Sequence, residues 1–186
     1  MQPENGTFIC TLGPADTNCA AAAQWWFDNH NQNLSSTDSK SRIILYATLE
    51  EAFNELAQKK DDYLLSCAAY PDLHTLIFTR LDDLQLFDSF IMPTHPMVLA
   101  KRNNSDEIKT VATHSAPQSL VAHQYDKIFA NSNADAAVLC KAERADACIT
   151  TLVAAKRYEL NIVKNFGQVP MAFLLHSLKS AHHEAI

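Results

Sequence analysis

Short apolar runs alternate along this chain with segments whose apolar residues recur at the spacing of a helix. Runs of about four to eight apolar residues are typical of buried strands, and amphipathic segments between them are typical of helices that cover a sheet. The pattern predicts strands at 7–12, 42–47, 61–67, 84–92, 97–101, 108–113, 127–130, 147–149, 160–166 and 171–175. It predicts helices at 16–29, 48–58, 72–79, 116–123, 134–143 and 150–158, and a polar loop at 29–41.

Two series of strands and helices follow one another, and they meet at Pro93-Thr94-His95-Pro96 between two predicted strands. This order is typical of an α/β fold in which two lobes enclose a cleft. Within one domain that spans the chain, we place lobe 1 at about residues 1–94 plus 171–186 and lobe 2 at about 97–168. We expect the chain to cross between the lobes at that proline-rich segment and again near 167–170.

The composition narrows the classes of function. Fifteen Lys and Arg against twenty-one Asp and Glu give a net charge of −6, which argues against a nucleic-acid partner. No apolar run reaches the length of a membrane span and the first residues lack the order of a signal peptide, so we expect a cytoplasmic protein with no membrane partner. The five cysteines stand singly in apolar surroundings, which predicts reduced thiols and no zinc or other metal site.

The first predicted strand ends in Gly13-Pro14, and a helix follows it. Gly13 has the freedom to take a positive φ in this turn, and Asp16 is the predicted N-cap of the helix. A strand that turns into a helix in this way presents free backbone N–H groups, which bind anions. The candidate ligands for an anion in this turn are Thr11, Gly13, Thr17 and Asn18.

Three later strand-to-helix turns repeat this arrangement. Their hydroxyl and amide side chains are Ser115, Ser132, Asn133, Thr150 and Thr151. Each of these residues, taken alone, is explained as an ordinary helix cap. Because all of these turns are expected to face one cleft, we interpret the set as groups that bind the anionic part of a substrate.

The order of these segments resembles the catalytic domain of the prephenate dehydratase family over nearly the whole chain. The resemblance rests on short matches in the same order: Gly13-Pro14, Pro93-Thr94-His95, the turn 113–118, Ser132-Asn133-Ala134, and 147–151 followed by Tyr158-Glu159-Leu160. It implies a two-lobed fold of the type II periplasmic-binding-protein kind.

Two departures from the family pattern refine the resemblance. Dehydratases of the family have Glu-Asn-Ser after the third strand and end with Thr-Arg-Phe, where this chain has Ala68-Ala69-Tyr70 and Met171-Ala172-Phe173. The missing Thr and Arg are the groups expected to help the ring hydroxyl leave. The chain therefore resembles the prephenate decarboxylase branch, the non-aromatising enzymes of bacilysin- and aeruginosin-type biosynthesis. This implies decarboxylation of prephenate to a dihydro-4-hydroxyphenylpyruvate, with protonation of a ring alkene carbon and no cofactor.

Three residues on or beside the matched elements are the candidates for catalysis. His95 and His114 have side chains that titrate near neutral pH, and Tyr70 is a candidate donor to the retained hydroxyl. Thr94 and Met171 complete the predicted substrate site. Each catalytic candidate also has an ordinary explanation: His95 packs beside a proline, His114 orients a turn, and Tyr70 lies on the surface of a lobe.

Two other functions stay open at this point. A dehydratase that gives phenylpyruvate has the same fold, although the absent Thr-Arg pair argues against it. A two-lobed module that binds an amino acid or a small anion without chemistry is the second alternative, since the chain shows no obvious catalytic acid. The expected partner is prephenate, and a homodimer is left open as the oligomeric state.

Overall fold

The computed structural model describes residues 7–30, 36–57, 62–103 and 107–179. The chain divides into two compact units. Unit 1 comprises Met1–Met92 and Ala172–Ile186, and unit 2 comprises Pro93–Met171. Each unit has a mixed five-stranded sheet with helices, so the predicted two-lobed α/β fold class is confirmed.

The elements follow the chain in this order. The first half contains β1 (Ile9–Leu12), α1 (Asn18–His30), α2 (Ser36–Ser41), β2 (Ile43–Tyr46), α3 (Leu49–Leu56), β3 (Tyr63–Cys67), α4 (Leu73–Thr79) and β4 (Leu84–Pro93). The second half contains β5 (Met97–Lys101), β6 (Thr110–Thr113), β7 (Asp126–Phe129), α5 (Asn133–Lys141), β8 (Ala147–Thr151), α6 (Leu152–Arg157), β9 (Asn161–Gly167) and β10 (Pro170–Leu178).

The sheet of unit 1 has the strand order β2-β1-β3-β10-β4. β1 runs parallel to β2 and β3, and β10 runs antiparallel to β3, with Phe173 opposite Cys67. One further bond, from the Ala68 N–H to the Ala172 carbonyl oxygen at 2.9 Å, extends that pairing. The carboxyl ends of β1, β2 and β3 therefore share one edge of the sheet with the start of β10.

The sheet of unit 2 has the strand order β7-β6-β8-β5-β9. β6 runs parallel to β7 and β8, whereas β5 runs antiparallel to β8 and β9. Met97, the first residue of β5, lies opposite Thr151, the last residue of β8. The carboxyl ends of β6, β7 and β8 therefore share one edge with the start of β5.

The two cores differ in composition. In unit 1, α1 buries Trp26 completely, and the indole N–H of Trp26 donates to Asp88 Oδ2 on β4 at 2.7 Å. In unit 2, the fully buried Ala136 and Ala137 of α5 lie in one cluster with Ala112 and Cys148 of the sheet. Small side chains on both sides let the helix approach its sheet closely, which places the start of α5 near the strand ends.

His176 is a buried polar side chain of unit 1 with a ring nitrogen that the described residues leave unsatisfied. His176 on β10 lies opposite Leu64 of β3 and is 4% exposed. Its Nδ1 has no hydrogen-bond partner among the described residues, and burial lowers the pKa of its imidazole. The neutral form of this histidine is therefore the one that the fold accommodates.

Helix α3 starts where its sequence signal places it. The Glu51 N–H donates to Thr48 Oγ1 at 3.1 Å and its carboxylate accepts from the Ala47 N–H at 3.2 Å, close to the capping-box pattern. The prediction for α1 was one residue off, because Thr17 rather than Asp16 accepts the bond from the Ala20 N–H. Thr17 is the residue directly before Asn18, the first helical residue, which is the N-cap position.

Helices α5 and α6 are each followed by a glutamate at the position where glycine is common. Glu143 follows the end of α5 with φ at 62°, and Glu159 follows the end of α6 with φ at 55°. The Glu143 N–H donates to the Cys140 carbonyl oxygen and the Arg144 N–H to that of Leu139, at 3.2 and 3.0 Å. This is the Schellman pattern, whose left-handed residue is usually glycine because a side chain there is strained.

Three predicted segments were wrong. The region 116–123 holds a single 3-10 turn at Gln118–Leu120 in place of a helix. The loop predicted at 29–41 contains α2 in its described part, and Thr150 and Thr151 belong to β8, so α6 begins at Leu152.

All five cysteines are free thiols, of which only Cys67 is not buried. None of the described helices is long and apolar enough to cross a membrane.

Candidate functional site

The shared strand edge of unit 2 gathers most of the predicted site residues. One short segment precedes β5 there, and one follows each of β6, β7 and β8. The pairing registers of these four strands bring those strand ends to the same edge. The residues that these segments contribute are Thr94, His95, His114, Ser115, Ser132, Asn133, Thr150 and Thr151. We call this set the unit 2 edge.

Hydrogen bonds fix the segments of the unit 2 edge to one another. Thr150 Oγ1 donates to the Asn133 carbonyl oxygen at 2.5 Å, which ties β8 to the start of α5. The Leu152 N–H donates to the Pro96 carbonyl oxygen at 2.8 Å, which ties the start of α6 to the segment before β5. Thr94 Oγ1 accepts from the Val169 N–H at 3.1 Å. The edge is thus held by two threonine hydroxyls and one backbone bond.

Two hydroxyls of the unit 2 edge cap helices and keep a proton to donate. Ser132 Oγ accepts from the Asp135 N–H at 3.0 Å, and Thr151 Oγ1 accepts from the Ala154 N–H at 3.2 Å. As acceptors at a cap, both hydroxyls retain an O–H. Asp135 lies in the first turn of α5, where its carboxylate accepts from the Asn131 N–H at 3.1 Å and offsets part of the positive end of that helix.

His114 is a neutral hydrogen-bond donor. Its Nδ1 accepts from the Ala116 N–H at 3.4 Å, so its Nε2 bears the proton. Burial lowers the pKa of this imidazole, which keeps it uncharged near neutral pH. The expectation for Ser115 was partly wrong, because the three-residue 3-10 turn after it is no helix whose N-terminus attracts an anion. His95 is half-buried before β5.

The strand edge of unit 1 is built around Gly13. The Gly13 N–H donates to the Tyr46 carbonyl oxygen at 2.8 Å. A Cβ on Gly13 would lie 3.1 Å from the Leu45 Cβ and 3.4 Å from the Tyr46 oxygen. The φ of Gly13 is not positive, so close approach to β2, rather than an unusual φ, explains the glycine.

The two threonines near Gly13 serve the fold. Thr11 is completely buried and its Oγ1 donates to the Leu65 carbonyl oxygen at 2.7 Å. Thr17 Oγ1 donates to the Leu12 carbonyl oxygen at 2.9 Å and accepts from the Ala20 N–H at 3.2 Å. Both hydroxyls spend their proton inside unit 1, so neither has a proton to donate to an anion. Asn18 is half-buried at the start of α1.

Tyr70 has a partner that the sequence did not reveal. Its phenol O–H donates to Glu50 Oε2 at 3.2 Å. Burial and the nearby Glu50 carboxylate both raise the pKa of the phenol, which stays protonated. The prediction that Tyr70 donates to a substrate is unsupported in this conformation, because its O–H already donates to Glu50. The signal for Glu50 was present, since the capping box needs one glutamate and Glu50-Glu51 supplies two.

The position of the missing Thr-Arg pair holds no polar side chain. Met171 is the last residue of unit 2 and is half-buried, and Ala172 follows it as the first returning residue of unit 1. Neither residue donates a proton or bears a charge from its side chain. Among the described residues, no group of three or more His, Cys, Asp or Glu side chains lies close enough to hold a metal ion.

Comparison with known proteins places the sequence in one family. The profile of the family described as prephenate dehydratase matches residues 9–168. A curated prephenate decarboxylase of Planktothrix agardhii is 30% identical over 197 residues, which cover 98% of this chain and 95% of the relative. A prephenate decarboxylase of Bacillus subtilis is 28% identical over 186 residues, which cover 95% of this chain and 89% of the relative.

Solved structures agree on the fold. A prephenate dehydratase from Arthrobacter aurescens, in complex with L-Phe, superposes with a TM-score of 0.66 at 19% identity. The match covers 97% of this chain and 63% of that chain, so this chain spans less than two thirds of that dehydratase. The periplasmic VFT2 domain of Bordetella pertussis BvgS has a TM-score of 0.56 at 17% identity, over 92% of this chain and 80% of that chain.

Proposed function

Because the chain belongs to the prephenate dehydratase family, we propose that it is a prephenate decarboxylase that leaves the ring hydroxyl of its substrate in place. The observation that supports this best is the pair Met171-Ala172, which offers no acid and no cation at the start of β10. The likeness to named prephenate decarboxylases over 98% and 95% of the chain supports the same proposal.

The proposed reaction consumes one proton for each CO2 released. Prephenate has a carboxylate and a pyruvyl side chain on one quaternary ring carbon, and a hydroxyl across the ring. The bond to the carboxylate breaks, and its electron pair moves through a ring alkene to form a new C–H bond. The product is a dihydro-4-hydroxyphenylpyruvate. No net oxidation occurs, so the reaction as written needs no redox cofactor.

The unit 2 edge is proposed to bind the anionic groups of prephenate. Ser132 and Thr151 each have an O–H to donate, and His114 has its Nε2 proton. The first N–H groups of α5 add donors without a charged side chain, as helix N-termini do for many anions. In unit 1, we assign the corresponding contacts to Asn18 and to the backbone of the turn that follows Pro14.

We assign proton delivery to His95 and hydrogen-bond donation to His114. A general acid must be protonated before it can act, and burial keeps His114 neutral near neutral pH. His95 stands directly before β5, at the same strand edge as the donors of the anion site. Loss of the His95 imidazole is expected to reduce kcat by about a hundredfold or more, as for other general acids.

The biological setting is part of the same proposal. A product that keeps a hydroxyl on a non-aromatic ring is not a precursor of phenylalanine or tyrosine, so we place the enzyme in secondary metabolism, in the synthesis of a dipeptide antibiotic or non-ribosomal peptide. We propose that the enzyme is cytoplasmic. If it forms an oligomer, a homodimer is the simplest one. A dehydratase, or a module that binds without chemistry, is the competing outcome.

One experiment tests the activity directly. The protein is incubated with prephenate, CO2 release is followed, and the product is identified by its ultraviolet spectrum and mass. CO2 together with a dihydro-4-hydroxyphenylpyruvate is the expected result. Phenylpyruvate would identify a dehydratase, and tight binding without turnover would identify a binding module.

A further inference from the structure

Glu50 and Tyr70 form a pair at the strand edge of unit 1. Glu50 lies in the first turn of α3, which starts after the carboxyl end of β2, and Tyr70 lies in the turn after the carboxyl end of β3. The Tyr70 ring packs against the core cluster that includes Leu49, and its O–H donates to Glu50 Oε2 at 3.2 Å. A hydrogen bond of this kind fixes where the single phenol proton lies.

We infer that this pair keeps the ring hydroxyl of prephenate from leaving. Tyr70 accepts a hydrogen bond from that hydroxyl, and Glu50 positions the Tyr70 phenol. The inference rests on the proposed function and extends it. Because the Tyr70 proton is directed to Glu50, the phenol oxygen meets the substrate through its lone pairs. The substrate hydroxyl then donates a hydrogen bond and receives none from Tyr70.

The direction of that bond matters for the reaction. In aromatisation, the bonds to CO2 and to the hydroxyl both break, and the hydroxyl leaves with an electron pair and takes up a proton to become water. A donor aimed at the hydroxyl oxygen stabilises that charge, whereas an acceptor does not. The negative charge of Glu50 near the same oxygen opposes the charge that develops there. Both effects leave CO2 loss with protonation at carbon as the open route.

Glu50 makes neither of the two capping hydrogen bonds that account for the neighbouring Glu51. Glu51 completes the capping pattern of α3, with its carboxylate on the Ala47 N–H and its own N–H on Thr48. Two adjacent carboxylates at the start of one helix thus have different tasks, and only Glu50 contacts Tyr70. The pair of glutamates provides a matched test, because one can be neutralised while the other stays.

The test compares Glu50→Gln with Glu51→Gln in the product assay with prephenate. A glutamine at 50 removes the charge and replaces one of the two acceptor oxygens with an NH2 group, so the Tyr70 proton is no longer held by a carboxylate and is available to the substrate. We expect the phenylpyruvate fraction to rise roughly tenfold or more above the no-enzyme blank. Glu51→Gln should give the same phenylpyruvate fraction as wild type. Glu50→Asp keeps the charge, so its phenylpyruvate fraction should be close to that of wild type.

The outcomes separate this inference from the proposed function. Wild-type protein that releases no CO2 from prephenate overturns both. Wild-type protein that makes the dihydro product, while Glu50→Gln makes the same product in the same proportion, overturns the inference alone. If Glu50→Gln does not fold, Tyr70→Phe provides the same decision, because loss of the acceptor should also raise the phenylpyruvate fraction and an unchanged fraction refutes the role.

Discussion

The hydroxyl of Thr150, near the end of β8, donates to the main-chain carbonyl oxygen of Asn133, the first residue of α5. The two residues are 17 positions apart, and Thr150 is completely buried. The bond therefore links a central strand of the unit 2 sheet to the helix whose first amides belong to the proposed anion site. The direction in which those amides point depends on it.

Thr150→Val tests this link. Valine has a similar shape but no hydroxyl, so we expect the free energy of unfolding to fall by about 1 kcal/mol from the lost hydrogen bond. The KM for prephenate should rise several-fold while kcat changes less, because the start of α5 is no longer held. Thr150→Ser, which keeps the hydroxyl, should stay near wild type; an unchanged KM in the valine variant would show that the bond serves stability alone.

Ser132→Ala distinguishes a cap from a substrate ligand. Loss of the hydroxyl should lower the free energy of unfolding by about 1 kcal/mol, as for other N-caps. Thr48→Ala removes the equivalent cap of α3 and provides the control for that cost. Only Ser132→Ala should also raise the KM for prephenate. Equal kinetic effects in the two variants would assign Ser132 to the helix and not to the site.

Met171→Thr combined with Ala172→Arg restores the pair that dehydratases of the family have. The variant gains a hydroxyl and a cation where the leaving group is proposed to lie, and such help is worth on the order of a hundredfold in rate. We expect phenylpyruvate to appear beside the dihydro product in chromatography, although a misplacement of about 1 Å reduces the effect. A folded variant that makes the wild-type product alone would show that residues 171 and 172 do not control the outcome.

His176 makes the stability of unit 1 depend on pH. Burial lowers the pKa of this imidazole below its ordinary 6.5 in the folded state. Below about pH 6.5 the unfolded chain takes up a proton that the folded chain resists, so stability is full above that pH and declines toward the folded pKa. Denaturant titrations at several pH values should show a smaller decline in His176→Leu than in wild type.

His74 provides the control for this pH dependence. It lies exposed on α4, so His74→Ala should keep the wild-type decline in stability. A decline of equal size in His176→Leu and wild type would place the responsible group elsewhere.

Glu143→Gly should stabilise unit 2. A side chain at φ 62° is strained, and glycine removes that strain at some cost in chain entropy, with a net gain of about 0.5 kcal/mol. The ion pair lost with Arg102 spans 4.0 Å and contributes little, because Glu143 is 78% exposed. Ala142→Gly, one residue earlier with φ at −81°, should instead be destabilising. Thermal unfolding compares the two, and equal losses would contradict the strain.

The strands were predictable because each short apolar run is bounded by polar or turn-forming residues. β3 and β5 lie where the runs 61–67 and 97–101 placed them, within two residues. The segment 116–123 was predicted as a helix because the spacing of its alanines and leucine matches one. It contains Pro117 and few apolar residues, and it forms only one 3-10 turn. A helix of so few residues buries too little apolar surface to offset the free-energy cost of forming its first turn.

The predicted site was harder to read than the fold. Sequence indicated hydroxyls at strand ends, but not which way each proton points. Thr11 and Thr17 direct theirs to backbone oxygens, while Ser132 and Thr151 accept at a cap and keep theirs. For Thr11 the direction follows from a tertiary contact far along the chain, since Leu65 is 54 positions away. Tyr70 shows the same limit, since its acceptor is 20 residues away.

The position of β10 in the unit 1 sheet has a consequence for synthesis. In the order β2-β1-β3-β10-β4, the strand made last stands between two strands made much earlier. Unit 2 is one continuous stretch, Pro93–Met171, and all but its last two residues are made before β10 begins at Pro170. During translation, unit 2 can complete its sheet while β4 still lacks its neighbour and exposes unpaired backbone groups. The half of the protein that begins first is thus the half that finishes last.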